Sequence, residues 1–353
     1  MPSSATRTAR NATGSVRWVD RHRLAVTPTP LQPADRLGSE LGFEPAMLWV
    51  KRDDLTGLAG GGNKVRKLEY LLADATRQGC DVLVTAGAVQ SNHARTTAAA
   101  ACAAGLGCVL VLRGDPHDPA LPDGNVVLDE LFGAEIDWVD SDDPADAERQ
   151  LAETCVRLAG QGRRPYEIPL GGASAVGTLG YVRAAAELAS QAPIGSLVYT
   201  VTGTGGTHAG LVVGLGPHHR VRGDDVGALD DVVARMDELI PAVAALAGLP
   251  QPRGALQLDR TRIGDGYGQS SPASLEAIGL AARLEALVVD PVYGAKALAG
   301  LIADRRSGRL PPDKPVVFLH TGGLPSVFAH AHAREVAGAG GGTRTLTSFD
   351  TRS

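Results

Sequence analysis

Lys64 ends the run Gly60-Gly61-Gly62-Asn63-Lys64 and opens an amphipathic segment. Lysine is scarce: of 34 basic residues only Lys51, Lys64, Lys67, Lys296 and Lys314 are lysine. A desolvated lysine can become the free amine that condenses with a carbonyl as a Schiff base, which an arginine guanidinium cannot. Lys64 is therefore the first candidate for a covalent anchor. A second loop, Gly203-Thr204-Gly205-Gly206-Thr207, sits between an apolar run ending at Val201 and the helical run His208 to Leu215. Its glycines let backbone amides approach an anion and the helix start adds unpaired N–H groups, so phosphate is the natural ligand, with hydroxyls from Thr204 and Thr207. A tight strand-to-helix turn explains the loop equally well. The spacing matches neither the Walker A pattern nor GxGxxG followed by an acid, which argues against a nucleotide.

Three further groups have chemistry to offer. In Gln90-Ser91-Asn92-His93, Ser91 or Asn92 is either a plain helix N-cap or, for Asn92, a donor to a bound oxygen with Ser91 facing a substrate. Tyr267 and Tyr293, two of six tyrosines, stand in glycine-bounded loops as acid–base or orienting phenols, or as rings packed over turns. His320-Thr321-Gly322-Gly323 closes a late strand, where Thr321 offers a hydroxyl or the segment is only a helix entry.

These loops need rigid elements to hold them. Short β-branched runs alternate with alanine- and leucine-rich helical patterns, which predicts an α/β fold with parallel sheets flanked by helices. Strands are expected over 46–51, 81–85, 108–112, 135–139, 196–201 and 315–319, and helices over 93–104, 146–158, 178–190, 229–247, 274–287 and 295–302. After Lys64 the spacing of Val65, Leu68, Leu71, Leu72 and Ala75 predicts a helix that Gly79 stops. Residues 220–229 have strand rhythm, interrupted by Asp224 and Asp225.

With 353 residues, 44% of them hydrophobic, the chain is long enough for two domains. A net charge of −5 without a basic cluster argues against nucleic acid or an anionic membrane, and favours a small neutral or zwitterionic ligand. The four cysteines lack metal-finger spacing and read as buried reduced thiols; the nine histidines are scattered, so no metal is expected. No apolar run reaches the ~18 residues of a membrane span. The reading is a cytoplasmic protein.

In combination the segments Lys51-Arg52-Asp53-Asp54, Gly61-Gly62-Asn63-Lys64, Arg66-Lys67-Leu68-Glu69, Thr85-Ala86-Gly87-Ala88, Gln90-Ser91-Asn92-His93, Gly205 to Gly210, Asp290-Pro291-Val292-Tyr293 and His320 to Gly323 resemble one family. It is that of D-cysteine desulfhydrase and aminocyclopropane-carboxylate deaminase, of the tryptophan synthase β type (fold type II). The resemblance runs from about Arg17 to Arg334. It implies pyridoxal 5'-phosphate, linked to Lys64, with Asn92 on its phenolic oxygen, Gly203, Thr204, Gly205, Gly206 and Thr207 at its phosphate, and Thr321 near its ring nitrogen. Ser91, Tyr267 and Tyr293 would face the substrate and move protons, while Lys67 matches no anchoring role and is expected to be solvated or ion-paired. A homodimer is implied, with residues 61–172 as a small domain inserted in a large one (17–60 and 173–335). The polar composition of residues 1–16 and 336–353, with the run Gly340-Gly341-Gly342, reads as disordered tails.

Within that family the deaminase branch resembles Asp-Pro-Val-Tyr-Glu with a leucine after the late histidine, where this chain has Gly294 and Thr321. A carboxylate keeps the ring nitrogen protonated and the electron sink strong; a hydroxyl leaves it near neutral. The residues therefore lean to α,β-elimination from D-cysteine, with L-cysteate sulfo-lyase, ring-opening deaminase, a cofactor-binding protein without turnover and a nucleotide-dependent oxidoreductase as the other readings. The glycine at 294, where a small hydroxyl residue is usual, is expected to leave space or a water beside Tyr293.

Overall fold

The computed structural model describes residues 8–11, 14–17, 19–118, 120–141, 143–216 and 220–339. A hairpin of β1 (Thr8–Asn11) and β2 (Gly14–Arg17) comes first, followed by β3 (Leu31–Pro33), α1 (Asp35–Glu40), β4 (Leu48–Arg52) and α2 (Asn63–Arg77). Next come β5 (Val82–Ala88), α3 (Asn92–Ala104), β6 (Gly107–Arg113), α4 (Gly124–Leu131), β7 (Glu135–Val139), α5 (Pro144–Gly160) and β8 (Pro165–Ile168). The chain continues through α6 (Ala175–Gln191), β9 (Leu197–Thr202), α7 (Gly206–Leu215), β10 (Arg220–Asp225), α8 (Val232–Ala247) and β11 (Gln257–Asp259). It closes with α9 (Pro272–Glu285), α10 (Gly294–Arg306), β12 (Val316–His320), α11 (Leu324–Val327) and α12 (His330–Ala339).

The strands form two main sheets. One has the order β11-β10-β9-β12-β4-β3, parallel except for the β3–β4 pair, and the other is the all-parallel β7-β6-β5-β8. Parallel sheets are covered on both faces, so their strands are apolar on both sides. In the smaller sheet Leu83 and Leu110 pack with α2 and α3, while Val82, Val84, Val109 and Val111 pack with Ala147, Leu151 and Leu158 of α5. In the larger sheet Val50, Tyr199 and Phe318 face the α9–α10 side, and Val198, Val317 and Leu319 face Tyr181, Ala185 and Leu211 of α6 and α7.

Close approach of α2, α6 and α7 brings their ends together. A methyl on Gly180 would lie 2.2 Å from the Arg66 carbonyl oxygen, and one on Gly210 2.4 Å from Tyr181 Cβ, so these crossings require glycine. A buried polar network fastens the same layer. Arg66 grips Asp53 through Nε–Oδ2 (2.8 Å) and Nη2–Oδ1 (2.7 Å), Tyr181 donates to Asp53 at 2.6 Å, and Lys51 and Arg66 both reach Glu187. Burial alone would raise the Asp53 carboxyl, but the Arg66 guanidinium outweighs it and holds the group below its ordinary value. The family-like segments around Lys51 and Arg66 thus build scaffold.

Some expectations change. Residues 220–225 do form a central strand, with Asp224 and Asp225 buried, because Arg262 and Arg260 pair with them. The eight-residue helix α4 and the four-residue strand β8 are additional to the elements expected from the sequence, both being short. Only Cys108 of the four thiols is buried; Cys102 is exposed and the other two are intermediate. Elements also occur on either side of 17–335, in the β1–β2 hairpin and through α12 to Ala339, while residues 1–7 and 340–353 lie outside the described residues. No helix among the described residues is long and apolar enough to cross a membrane, and no cluster of potential metal ligands occurs among them.

Candidate active site

A cleft of ≈ 830 Å³, mouth included, opens where strands of both sheets end. Its walls include Ala86 to Ala88 at the end of β5, Arg113 at the end of β6, Val201 in β9 and Thr321 just beyond β12. Binding sites of open α/β sheets fall at these carboxyl ends because the turns there are free to vary. Every residue expected to do chemistry lines this one cleft: Lys64, Ser91, Asn92, Gly203 to Thr207, Tyr267, Tyr293 and Thr321.

Lys64 stands in the first turn of α2, placed by Gly62 at φ 110°, and its Nζ lies 3.4 Å from the Gly171 carbonyl oxygen. Burial lowers its ammonium from 10.5 to about 8, so the free amine is accessible near neutral pH. Lys67, one turn on, is not solvated. It is 1% exposed, its Nζ donates to the same carbonyl at 2.9 Å, and a methyl on Gly206 would sit 2.7 Å from that nitrogen. Burial first, and the neighbouring Lys64 charge second, push Lys67 well below the ordinary lysine range. No carboxylate pairs with it among the described residues.

Gly206 begins α7, whose N-cap Gly205 has φ 80°. A side chain there would be strained by the backbone and would strike Met236 at 2.7 Å. The unpaired amides of this helix start, the Thr207 hydroxyl that accepts from Asn63 Nδ2 at 3.0 Å, and the Lys67 Nζ converge on one spot suited to a dianion, whose charge would favour the protonated lysine.

Across the cleft, Ser91 caps α3 by accepting from the Ala94 amide at 3.1 Å, which leaves its O–H to donate into the cavity. Capping and a functional role are therefore compatible. Asn92 follows as the first residue of α3, and its Oδ1 accepts from Asn125 Nδ2 at 3.1 Å. His93, 2% exposed, bonds Thr85 through Nε2 at 3.0 Å while its Nδ1 is a buried atom without a hydrogen-bond partner. Burial, with Lys64 and Lys67 adding, keeps that ring neutral.

The Tyr267 and Tyr293 hydroxyls are in short contact, with ring centroids 6.0 Å apart. Burial raises both phenols above 10, so both carry their protons at neutral pH. Asp290 accepts amide hydrogens from Val292, Tyr293 and Gly294 at 3.1, 2.8 and 2.8 Å, and so shapes the Tyr293 turn. A methyl on Gly294 would meet Asp290 Oδ1 at 3.1 Å, and Gly294 is absent from the cleft wall. The expected extra space beside Tyr293 is thus not there, since that position faces Asp290.

Lys67 and Arg113 line the cleft without a local signal in the sequence, and Asn125 stands behind the wall, bonded to Asn92. Asn125 rides on α4, whose only cue is Asp123-Gly124 ahead of Val126, Val127 and Leu131. One turn further on, Asp129 is fully buried with both carboxylate oxygens lacking a hydrogen bond. Burial, opposed by Arg95, raises its carboxyl from 3.8 to about 8. The folded state then holds this proton more tightly than the unfolded chain, so stability falls as pH rises between those values. Asp129→Asn is expected to raise the melting temperature at about pH 8 to 9 and to leave it unchanged near pH 4; an equal shift at both, by calorimetry, would refute the assignment.

A half-buried lysine whose ammonium is lowered to about 8, sharing a cleft with a glycine-rich helix start, is the kind of arrangement found in enzymes that attach a phosphorylated carbonyl cofactor. The family model described as "Pyridoxal-phosphate dependent enzyme" matches residues 22–322, and the chain belongs to this family. D-cysteine desulfhydrase of Salmonella newport is 44% identical over 330 residues, covering 88% of this chain and 97% of the relative. That of Salmonella typhimurium is 45% identical over 323 residues, with 86% and 94% covered. The crystal structure of an "ACC deaminase homologue" superposes with a TM-score of 0.83 at 37% identity, covering 91% of this chain and 96% of that one. The processed form of threonine deaminase isoform 2 from Solanum lycopersicum, at TM-score 0.63 and 17% identity over 90% and 84%, shares the fold.

Proposed function

We propose that this protein catalyses α,β-elimination on D-cysteine, releasing sulfide, pyruvate and ammonia. The observation that carries this reading is the convergence of the Lys64 amine, the α7 helix start with Lys67, and the Asn92 amide on one cleft, in a chain 44% identical to D-cysteine desulfhydrases over 88% of its length. Lys64 would hold the cofactor's carbonyl end, the amides of 205–207 with Thr204, Thr207 and Lys67 would hold its phosphate, Asn92 would donate to its phenolic oxygen, and the Thr321 hydroxyl would serve its ring nitrogen. When bound, pyridoxal phosphate supplies the electron sink that stabilises negative charge at the substrate α-carbon.

The protein's own groups do the rest. Lys64, as a free amine, accepts a proton at Nζ; Ser91 orients the substrate through its uncommitted O–H; the Tyr267–Tyr293 pair, both protonated, delivers a proton to a departing group. Asp290 is the one acid among the described lining residues, and three amides already occupy it. A hydroxyl rather than a carboxylate at the ring nitrogen suits departure of a thiol better than the opening of a cyclopropane.

The reading extends to a homodimer in the cytoplasm, with residues 61–172, which carry the four-stranded sheet, acting as a smaller domain against 17–60 and 173–335. The test presents loaded enzyme with D-cysteine, L-cysteate and 1-aminocyclopropane-1-carboxylate in parallel. Sulfide with pyruvate from the first supports the proposal. Sulfite from the second alone, α-ketobutyrate from the third alone, or a coloured protein that releases no keto acid, each overturns it.

A further inference from the structure

Asn92 alone does not decide which end of its amide faces the cofactor, because an amide presents a donor from one atom and an acceptor from the other. Its neighbours do. Arg95 can only donate, and its Nε lies 3.1 Å from Asn125 Oδ1. A backbone carbonyl can only accept, and the Gln90 oxygen lies 3.0 Å from Asn125 Nδ2. The Asn125 amide is therefore fixed at both ends and cannot be turned over without two lost hydrogen bonds. Its second Nδ2 hydrogen points at Asn92, which must answer with Oδ1, at 3.1 Å. The Asn92 NH2 is left on the cleft side.

Burial makes this ordering strong. Asn125 is 0% exposed, Arg95 1% and Asn92 9%, so water offers no substitute partner. Arg95 also donates through Nη1 to the carbonyls of Ala59 and Gly61, at 2.6 and 3.2 Å, in the glycine loop that delivers Lys64. Gln90 in turn holds the start of α4, accepting from the Asn125 amide at 2.8 Å.

We propose that Arg95 and Asn125 form a positioning pair that locks the Asn92 amide with its Nδ2 toward the cleft, so that it donates to the phenolic oxygen of the bound cofactor and favours the phenolate form. This rests on the reading of the cleft given above. Neither residue touches the cofactor; both act through Asn92, and Arg95 ties that orientation to the loop carrying Lys64.

Asn125→Asp keeps size and the Arg95 contact but replaces the donor with an acceptor, so Asn92 must turn its NH2 toward residue 125 and present its oxygen to the phenolate. Absorption spectra of cofactor-loaded wild type, Asn125→Asp, Asn125→Ala, Asn92→Ala and the Asn92→Ala/Asn125→Ala double variant read the outcome. The ratio of the long-wavelength to the short-wavelength cofactor band is expected to drop about tenfold in Asn125→Asp, the size of a lost charge-assisted hydrogen bond. In the Asn92→Ala background, Asn125→Ala is expected to change the ratio less than about twofold, because the coupling needs both amides. A ratio like the wild type's in whichever Asn125 variant is soluble overturns the proposal, as does an equal drop in both Asn92 backgrounds, which a merely structural role predicts. If wild type itself takes up no borohydride-trappable colour, the cofactor reading falls and the positioning role with it; colour that ignores Asn125 sinks the positioning role alone.

Discussion

Lys64→Ala is expected to abolish borohydride-trappable cofactor and to reduce keto-acid release by on the order of 10⁴-fold or more, since both the covalent hold and a proton acceptor are lost. Two lysines point into the cleft, and their surroundings assign them different tasks. Lys64 lies at a loose 3.4 Å from the Gly171 carbonyl, with its amine released by burial toward about 8. Lys67 is pinned to that carbonyl at 2.9 Å and lies against Gly206 at the start of α7. Capture of added cofactor by the unloaded protein should accordingly accelerate as pH rises through about 8, well below the ordinary lysine value of 10.5. Peptide mapping after borohydride reduction decides the matter: a label on Lys67, or one that survives Lys64→Ala, would reverse the two assignments.

Lys67→Gln is expected to weaken cofactor retention about 10- to 100-fold, the size of one charge-assisted hydrogen bond in a buried site. A lone ammonium held out of water is costly unless an anion compensates it, and the described residues bring it a carbonyl dipole and a second ammonium but no carboxylate. A phosphate between Lys67 and the α7 amides removes that imbalance. The loaded protein should therefore be stabilised more in wild type than in Lys67→Gln, and fluorescence titration of the unloaded proteins with pyridoxal phosphate measures the difference. Equal dissociation constants would show that the helix start alone holds the phosphate.

Much of the scaffold was legible because its physics is local. Val82 to Val84 and Cys108 to Leu112 are apolar on both faces, as strands covered by helices must be, and Gly205-Gly206 ahead of an apolar helix marks a turn that amides can line. Asp224 and Asp225 misled the strand pattern because their compensation arrives from Arg262 and Arg260, some 35 residues downstream. The α4 helix is only eight residues long, and the bond from Asn125 to Asn92 spans 33 positions, so nothing local marks the amide that orients Asn92.

The sequence by itself determined the alternation of strands and helices, the lysine that opens α2 behind a glycine loop, the glycine turn ahead of α7, and the order of segments that marks the family. Only the tertiary structure decided that Lys67 is a buried amine beside the α7 helix start, that Ser91 both caps and lines the cleft, that Gly294 opens no space, and that Asn125 sets the Asn92 amide. The reason is physical: propensity and turn chemistry act over a few neighbouring residues, whereas desolvation and hydrogen-bond direction depend on partners such as Gly171, 104 positions from Lys67 along the chain.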